Sequence, residues 1–201
     1  MGMQGKAPVG RPRAFEADEV LDRLTALFWR QGYARTSMAD LVAASGVHKP
    51  SLYRTFGGKD ALFAAVLRRY LDERMAMFTD LIDRSGSGVE GVHRFLELFG
   101  IDAVSERGRD GCLMVMATNE LRGELPGYDF AADHRARMRE VLATLVRRTL
   151  PGRPDDATVL QHRTDLLITF LLGLHVIMRS GTGGEDVQRS LDAMHRVVDT
   201  W

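Results

Sequence analysis

The sequence predicts an all-α protein in which three short N-terminal helices are joined by a long helix to a C-terminal helical bundle. Apolar residues recur at intervals of three and four along most of the 201-residue chain, which is the period of an amphipathic helix. Clusters of glycine and proline separate these segments. No segment shows the sustained alternation of apolar and polar residues that is typical of a half-buried strand.

The composition is that of a globular chain without a generic affinity for polyanions. Apolar residues make up 45% and charged residues 27%, and the formal net charge is zero. The charge is unevenly distributed, because residues 1–60 hold nine Lys and Arg against six Asp and Glu, whereas the remainder holds 18 against 21. This imbalance predicts nucleic-acid contact at the N-terminal end alone.

We expect a cytoplasmic protein without a membrane segment. Its single cysteine, Cys112, cannot form an internal disulfide, so no oxidising compartment is needed. The first residues lack the apolar core of a signal peptide. The longest apolar run, from Leu166, is interrupted by Thr169 and His175 and is shorter than the roughly 18 residues of a membrane span. The histidines show no metal-like spacing, and we expect neither a metal nor another cofactor.

The N-terminal third is predicted to hold a flexible basic arm over residues 1–14 and then three short helices. The first helix covers about residues 17–32, where apolar positions repeat at helical spacing before a glycine. Ser37, with an acid three residues later, marks the next helix start, because its hydroxyl can accept an orphan backbone N–H. Gly46 ends this second helix, and residues 48–56 form the third.

A longer helix is predicted over residues 59–83, and the SGSG sequence at residues 85–88 marks a loop. Beyond it the periodicity predicts five more helices, separated by segments that contain glycine or proline. Their approximate bounds are residues 89–106, 110–122, 129–149, 156–180 and 185–200.

Two short helices joined by a tight turn at Gly46 are typical of a helix-turn-helix, which places its second helix in the DNA major groove. The side chains at the start of that helix face the base edges, and here they are His48, Lys49, Pro50 and Ser51. A lysine donates to guanine acceptors, a serine reaches a base or a phosphate, and apolar proline atoms suit a thymine methyl. We predict that these four residues read bases in double-stranded DNA.

Other residues of this region suit phosphate oxygens, which position a protein on DNA without reading its sequence. Tyr53, Arg54 and Lys59 follow the base-reading positions, and Thr36 and Ser37 stand at a helix N-terminus that favours anions. Arg11 and Arg13 lie on the basic arm, where we expect them to enter the neighbouring minor groove.

An ordered set of residues in this region resembles the tetracycline-repressor (TetR-like) family of bacterial transcription regulators. The resemblance covers about residues 15–65 and is specific within that window. The residues that carry it are Phe28, Gly32, Tyr33, Thr36, Ser37, Leu41, Val42, Ser45, Gly46, Val47, Leu52, Tyr53, Phe56, Lys59 and Leu62. Pro50 departs from the Gly or Ala that is more frequent in the family, so the operator preference cannot be copied from relatives.

The resemblance implies a DNA-binding domain at residues 15–60 and a ligand-binding and dimerisation domain at residues 61–201. It implies a homodimer in which the last two helices of each chain pair across a twofold axis. It also implies a repressor that binds a near-palindromic operator and is released by a small-molecule effector. Activation instead of repression stays open, because the difference depends on where the operator lies relative to the promoter.

The effector is expected to bind among apolar and methionine side chains of the middle helices, since methionine adapts to irregular ligands. The candidate residues are Phe95, Phe99, Cys112, Met116, Met138, Phe170 and His175. For each residue taken singly, ordinary core packing is the alternative interpretation. His175 in particular is interpreted as a satisfied core histidine.

Cys112 carries a second hypothesis. It lies where the sixth helix is predicted to begin, near Arg107 and Arg109, and both features would lower the pKa of a thiol. A GCL segment at this place resembles the branch of the family that includes thiol- and electrophile-sensing members. The alternative is an inert buried thiol, which is the usual fate of a free cysteine.

An enzyme on an all-α scaffold is the alternative from a different class. The chain contains no GxSxG, HExxH, CxxC or P-loop sequence, so we do not expect catalysis. The acidic residues Asp102, Glu106, Glu120 and Glu124 are interpreted as solvated helix acids.

Overall fold

The computed structural model describes residues 14–105, 110–122, 124–150, 157–181 and 184–201. The predicted all-α class is confirmed, because the described residues form nine helices and one small hairpin. The helices are α1 (Ala14–Gln31), α2 (Met38–Ser45), α3 (Lys49–Phe56), α4 (Lys59–Ser85), α5 (Gly88–Ala103), α6 (Leu113–Leu121), α7 (Phe130–Arg147), α8 (Ala157–Arg179) and α9 (Gly184–Val198). The predicted basic-arm residues Arg11 and Arg13, and Arg107 and Arg109 beside Cys112, lie outside the described residues.

Helix α2 begins and ends as the sequence predicts. The Ser37 hydroxyl accepts the Asp40 backbone N–H, and the Asp40 carboxylate accepts the Ser37 N–H, so both ends of a capping box are present. Gly46 follows the helix with φ 71°, and its N–H donates to the Val42 carbonyl. Glycine adopts this left-handed conformation without the steric cost of a Cβ, and the chain can therefore turn at once into α3.

A β-hairpin between α6 and α7 was not predicted from the sequence. Its strands, β1 (Glu124–Leu125) and β2 (Tyr128–Asp129), pair antiparallel and have two residues each, which is too short for a visible alternation. The Asp129 carboxylate accepts the Ala132 N–H at 2.8 Å and thereby caps α7. The hairpin thus sets the start of α7.

The long helix α4 connects the N-terminal helices to the bundle. Its N-terminal half packs on α1 and α3, and the helix also packs on α5, α6 and α7. Phe63 of α4 lies 4.5 Å from Phe28 of α1 between ring centroids, and both side chains are fully buried. Further along, Phe78 of α4 stacks on Phe99 of α5. One apolar core therefore continues from the helix-turn-helix into the bundle, where α8 packs on α7 and α9 on α5.

No helix in the described part of the chain combines the length and apolar character that crossing a lipid bilayer requires.

Candidate DNA-binding interface and effector region

The turn between α2 and α3 is held from α1. Arg23 of α1 donates from Nη1 to the Ser45 carbonyl at 3.0 Å, and the Ser45 hydroxyl accepts the Val47 N–H at 3.2 Å. Leu41 and Leu52 are buried on the inner sides of α2 and α3. The two helices are therefore fixed to each other and to α1 as one rigid unit, as a helix-turn-helix requires.

The outer edge of α3 gathers the residues that the sequence predicts for DNA. His48, Lys49, Pro50, Tyr53 and Arg54 are exposed, and Tyr53 has 43% of its surface accessible. Lys49 Nζ lies 5.9 Å from the centroid of the Tyr53 ring, one turn further along the helix. Cationic and hydroxyl groups thus share one exposed side of the helix.

Ser51 is half-buried, unlike its neighbours on this edge. Its hydroxyl lies 3.5 Å from Arg54 Nη2, so it borders the exposed edge.

Pro50 occupies the first turn of α3, two residues after the cap residue His48. The His48 carbonyl accepts both the Ser51 N–H at 2.9 Å and the Leu52 N–H at 3.2 Å. A first-turn N–H has no partner within the helix, so the proline removes no helical hydrogen bond. Pro50 therefore exposes an apolar ring on this edge of α3 without weakening the helix.

Lys59 belongs to a small cluster at the start of α4. Its Nζ lies 4.1 Å from the centroid of the Tyr33 ring, and the Tyr33 hydroxyl donates to the Asp60 carboxylate. Burial and the hydrogen bond to Asp60 raise the pKa of Tyr33 to about 12, so the phenol stays protonated and keeps donating. The ring holds the ammonium in place beside the helix-turn-helix.

Thr36 does not occupy the surface position that the sequence predicts. Its side chain is 1% exposed, and its hydroxyl donates to the Gly32 carbonyl at 2.6 Å and accepts from Gln31 Nε2 at 3.1 Å. This corrects the predicted phosphate role, because the hydroxyl is used inside the turn before α2. Ser37 is exposed, and its hydroxyl donates to Asp40 in the capping box.

Substituting Lys59 with alanine should weaken binding to all DNA sequences alike and reduce the salt dependence of binding. A phosphate contact releases condensed counterions, so the slope of log K against log salt should become about one unit shallower for each half-site. Fluorescence anisotropy across a salt series measures this slope. Arg147→Ala, which removes an exposed charge at the end of α7, is the matched control and should leave the slope unchanged. An unaltered slope in Lys59→Ala would remove Lys59 from the phosphate-binding set.

The predicted effector residues fall into two groups. Phe95, Phe99 and Met138 are buried in the core of the bundle, as are Cys112 and His175 at 4% exposure each. The half-buried members are Met116 and Phe170.

The side chain of His175 makes fewer hydrogen bonds than the sequence suggests. Its Nδ1 is buried and has no hydrogen-bond partner among the described residues. The ring meets Phe99 edge-on, with 5.6 Å between centroids. Burial, Arg74 and His134 lower the pKa of His175 to about 3, so the ring is neutral at pH 7. Its interpretation as a satisfied core histidine is therefore wrong for this nitrogen, which is left available to a polar ligand.

Arg74 connects this histidine electrostatically with further polar groups. Tyr70 of α4 accepts the Leu113 N–H at 3.3 Å, and burial together with the neighbouring Cys112 raises the pKa of its phenol. Arg74, one turn along α4, pairs with Asp102 at 3.6 Å, so Asp102 is not simply solvated. Burial and Arg74 lower the pKa of His134 to about 4. Tyr70, Arg74, His134 and His175 thus form a polar cluster inside an otherwise apolar bundle.

A cavity of about 370 Å³ opens between α6, α7 and α8. Its walls are mostly apolar, and they include none of the seven residues predicted to bind effector. The lining residues are Val115, Thr118, Asn119, Ala131, His134, Arg135, Thr169, Leu172, Gly173 and Val176. His134 therefore belongs both to the cavity and to the polar cluster. His134 could not be identified from the sequence, because it occurs at the same helical spacing as other residues of α7.

Comparison with known proteins matches this architecture. Residues 20–66 match the sequence profile described as "Bacterial regulatory proteins, tetR family". The HTH-type transcriptional repressor ComR of Escherichia coli (strain K12) is 30% identical over 186 residues, which cover 90% of this chain and 87% of ComR. The HTH-type transcriptional repressor BdcR of the same organism is 25% identical over 178 residues, covering 89% and 86%.

Among solved structures, a cysteine mutant of the TetR family regulator CifR, complexed with 26-bp double-strand operator DNA, superposes with a TM-score of 0.75. It is 29% identical, and the match covers 95% of this chain and all of that chain. With these likenesses over nearly the whole length, the chain belongs to the tetR family of bacterial regulatory proteins and is a DNA-binding transcriptional regulator of the helix-turn-helix type.

Proposed function

We propose that the protein is a ligand-responsive repressor that binds a near-palindromic operator as a homodimer and leaves it when a small molecule binds. The exposed edge of α3 carries this proposal, because it combines base-reading and phosphate-binding groups on a helix fixed rigidly to α1. The repressor names of ComR and BdcR, and the operator DNA bound to CifR, support it. Residues 15–60 form the reading domain in this proposal, and residues 61–201 the regulatory domain.

Within the reading domain, His48, Lys49, Pro50 and Ser51 contact base edges. Tyr53, Arg54, Lys59 and Ser37 hold phosphates on either side of the groove, and Arg11 and Arg13 follow the minor groove. The exposure of the α3 residues supports these roles.

An unpartnered stripe on α8 supports the homodimer. Leu166, Thr169, Gly173 and Val176 are spaced by three or four residues, so they lie on one side of the helix. All four are exposed, with Leu166 at 42% and Val176 at 52%. A Cβ added at Gly173 would meet no atom within 4 Å, which leaves room for a second helix to approach closely. Thr169, Gly173 and Val176 also border the cavity, so the second copy covers the stripe and the open side of the cavity together. The dimer then sets two recognition helices about 34–36 Å apart.

The effector binds in the bundle, in the cavity bordered by His134 and in the polar cluster behind it. The largely apolar walls and the few polar groups fit a small, mainly apolar molecule with one hydrogen-bonding group. Of the residues predicted from the sequence, His175 belongs to this polar cluster and Cys112 adjoins it at Tyr70. The other predicted residues, Phe95, Phe99, Met116, Met138 and Phe170, do not line the cavity. The effector favours a dimer geometry with a different half-site spacing, and DNA affinity falls by its differential affinity for the two states.

Thiol sensing through Cys112 is the second candidate. Cys112 stands at the N-cap of α6 and adjoins Tyr70. Its 4% exposure means that an electrophile reaches it only when the bundle opens. No catalytic role is assigned to this or any other residue.

Selection of bound DNA from a random pool tests the proposed function. We expect the protein to enrich one near-palindrome whose half-sites are centred about one helical turn apart. The control is a Lys49→Ala, Tyr53→Ala, Arg54→Ala triple variant, in which all three changes are at exposed positions. Recovery of no palindrome by the wild-type protein would count against the proposal. Repeating the binding with a library of small molecules then identifies those that release DNA.

A further inference from the structure

Glu120, at the C-terminal end of α6, reaches across to the turn that leads into the helix-turn-helix. Its Oε2 accepts the Tyr33 N–H at 2.8 Å and its Oε1 accepts the Ala34 N–H at 2.6 Å. These partners are 87 and 86 residues away along the chain. The interpretation of Glu120 as a solvated helix acid is therefore wrong, since both carboxylate oxygens are occupied by backbone donors.

The turn is shaped for this carboxylate. Gly32 has φ 79°, and a Cβ added there would lie 3.0 Å from Glu120 Oε2. A glycine thus meets two requirements, a left-handed backbone and a close approach of the carboxylate. The same turn is tied to α2, because the Thr36 hydroxyl donates to the Gly32 carbonyl and Thr36 N–H to the Tyr33 carbonyl. Any shift of the carboxylate therefore moves the start of α2 with it.

A second contact holds the other end of α6. The Asp110 carbonyl, just before the helix, accepts Trp29 Nε1 of α1 at 3.1 Å and Arg179 Nη1 of α8 at 3.0 Å. Helix α6 is nine residues long and is therefore tied to the reading domain at both ends. Its middle faces the effector cavity through Val115 and Thr118. One short rigid helix thus lies between the cavity and the turn that leads into α2.

We propose that Glu120 is a positioning residue for operator recognition: its carboxylate sets the angle of the reading domain on the bundle, and hence the half-site spacing that the dimer accepts. Charge-assisted hydrogen bonds to backbone donors are directional and independent of the side chains at positions 33 and 34. The carboxylate acts on the turn, not on DNA. For its operator readout the inference rests on the proposed function, whereas the hydrogen bonds themselves are testable without DNA.

The first test is amide hydrogen exchange of Tyr33 and Ala34, followed by NMR in the wild-type protein and in Glu120→Ala. Glu120 is exposed and alanine is the best helix former, so α6 should keep its fold. Exchange at both amides should accelerate about tenfold or more, which corresponds to about 1.4 kcal/mol. The Gly46 N–H, bonded within the helix-turn-helix to Val42, should exchange at an unchanged rate. Equal rates at Tyr33 and Ala34 in the two proteins would overturn the inference.

The second test measures affinity for operators whose spacer is lengthened or shortened by one or two base pairs. The wild-type protein should prefer one spacing sharply, whereas Glu120→Ala should lose about tenfold at that spacing and much less at the others. A general loss of folded protein would instead lower affinity for every spacer by the same factor. Glu120→Gln should fall between the two proteins, because its amide oxygen accepts one N–H while its NH₂ opposes the other.

A control variant shows whether the loss of any exposed acid has the same effect. Glu140→Ala removes an exposed acid from α7. It should keep the wild-type spacer preference. Faster exchange in Glu120→Ala with an unaltered spacer preference would overturn the positioning role. If the wild-type protein binds no operator at all, the proposed function fails, and the exchange experiment reports separately whether the tie exists.

Discussion

Gly173→Glu is expected to give a folded monomer that binds its operator at least about 100-fold more weakly than the wild-type protein. Position 173 lies at the centre of the exposed stripe on α8, where an added Cβ meets no atom of its own chain within 4 Å. In a dimer it would place two carboxylates of like charge in a largely apolar contact, which is strongly unfavourable. Once the dimer is lost, the second half-site is no longer bound intramolecularly, and avidity of roughly 10²- to 10⁴-fold disappears.

The fold of the chain should survive this change. Glycine inside a helix costs up to about 1 kcal/mol relative to good helix formers, so glutamate at position 173 favours α8 locally. Sedimentation equilibrium measures the mass, thermal unfolding followed by circular dichroism measures stability, and anisotropy measures operator binding. Thr144→Glu, an added acid on the exposed side of α7, is the matched control and should remain dimeric. A Gly173→Glu protein that stays dimeric with full affinity would show that the stripe on α8 is not the interface.

The parts of this protein that were predictable are those whose causes are local in the chain. The capping box at Ser37 and the turn at Gly46 follow from side chains within four residues of each other. The exposed edge of α3 follows from helical spacing, which places Lys49 and Tyr53 on one side. Such features can be identified from sequence because no distant residue takes part in them.

Features that depend on residues far apart in the chain could not be predicted from the sequence. Glu120 looks like any exposed helix acid until the fold brings it to the amides of Tyr33 and Ala34. The unpaired nitrogen of His175 depends on the surroundings that three other helices provide, whereas the sequence shows only that the residue lies in an apolar run. Thr36 is the opposite case. Its hydroxyl is suited to bind phosphate, but it donates a hydrogen bond inside the turn instead.

The difference between local and long-range features has a functional consequence. The helix-turn-helix domain is built from local features. About 50 residues that match a family profile are therefore enough to identify it. The contacts that join this domain to the bundle, such as those of Glu120 and Asp110, are long-range, and in our proposal they couple the domain to the effector cavity. Relatives that share the first can therefore differ in the second, and regulation must be derived from the structure of each protein.

Lys49→Ala is expected to change which base pair is preferred at one position in each half-site. Lys49 is exposed at the first turn of α3, where side chains reach base edges, and its ammonium suits the O6 and N7 acceptors of guanine. Loss of such a contact costs about 1–3 kcal/mol of discrimination per half-site, and the dimer carries the change twice. At the preferred operator the total should therefore be about 2–6 kcal/mol, with each 1.4 kcal/mol equal to a factor of ten.

Selection from a random pool with the Lys49→Ala protein measures this change directly. One position in each half of the recovered palindrome should lose its base preference, while the other positions and the spacing are retained. Lys49 lies 5.9 Å above the exposed ring of Tyr53, so its loss removes little packing and the fold should remain stable. Thr55→Ala, at another exposed position of α3, is the control and should recover the wild-type palindrome. If Lys49→Ala also recovers it unchanged, the base-reading side of α3 is formed by other residues than those proposed.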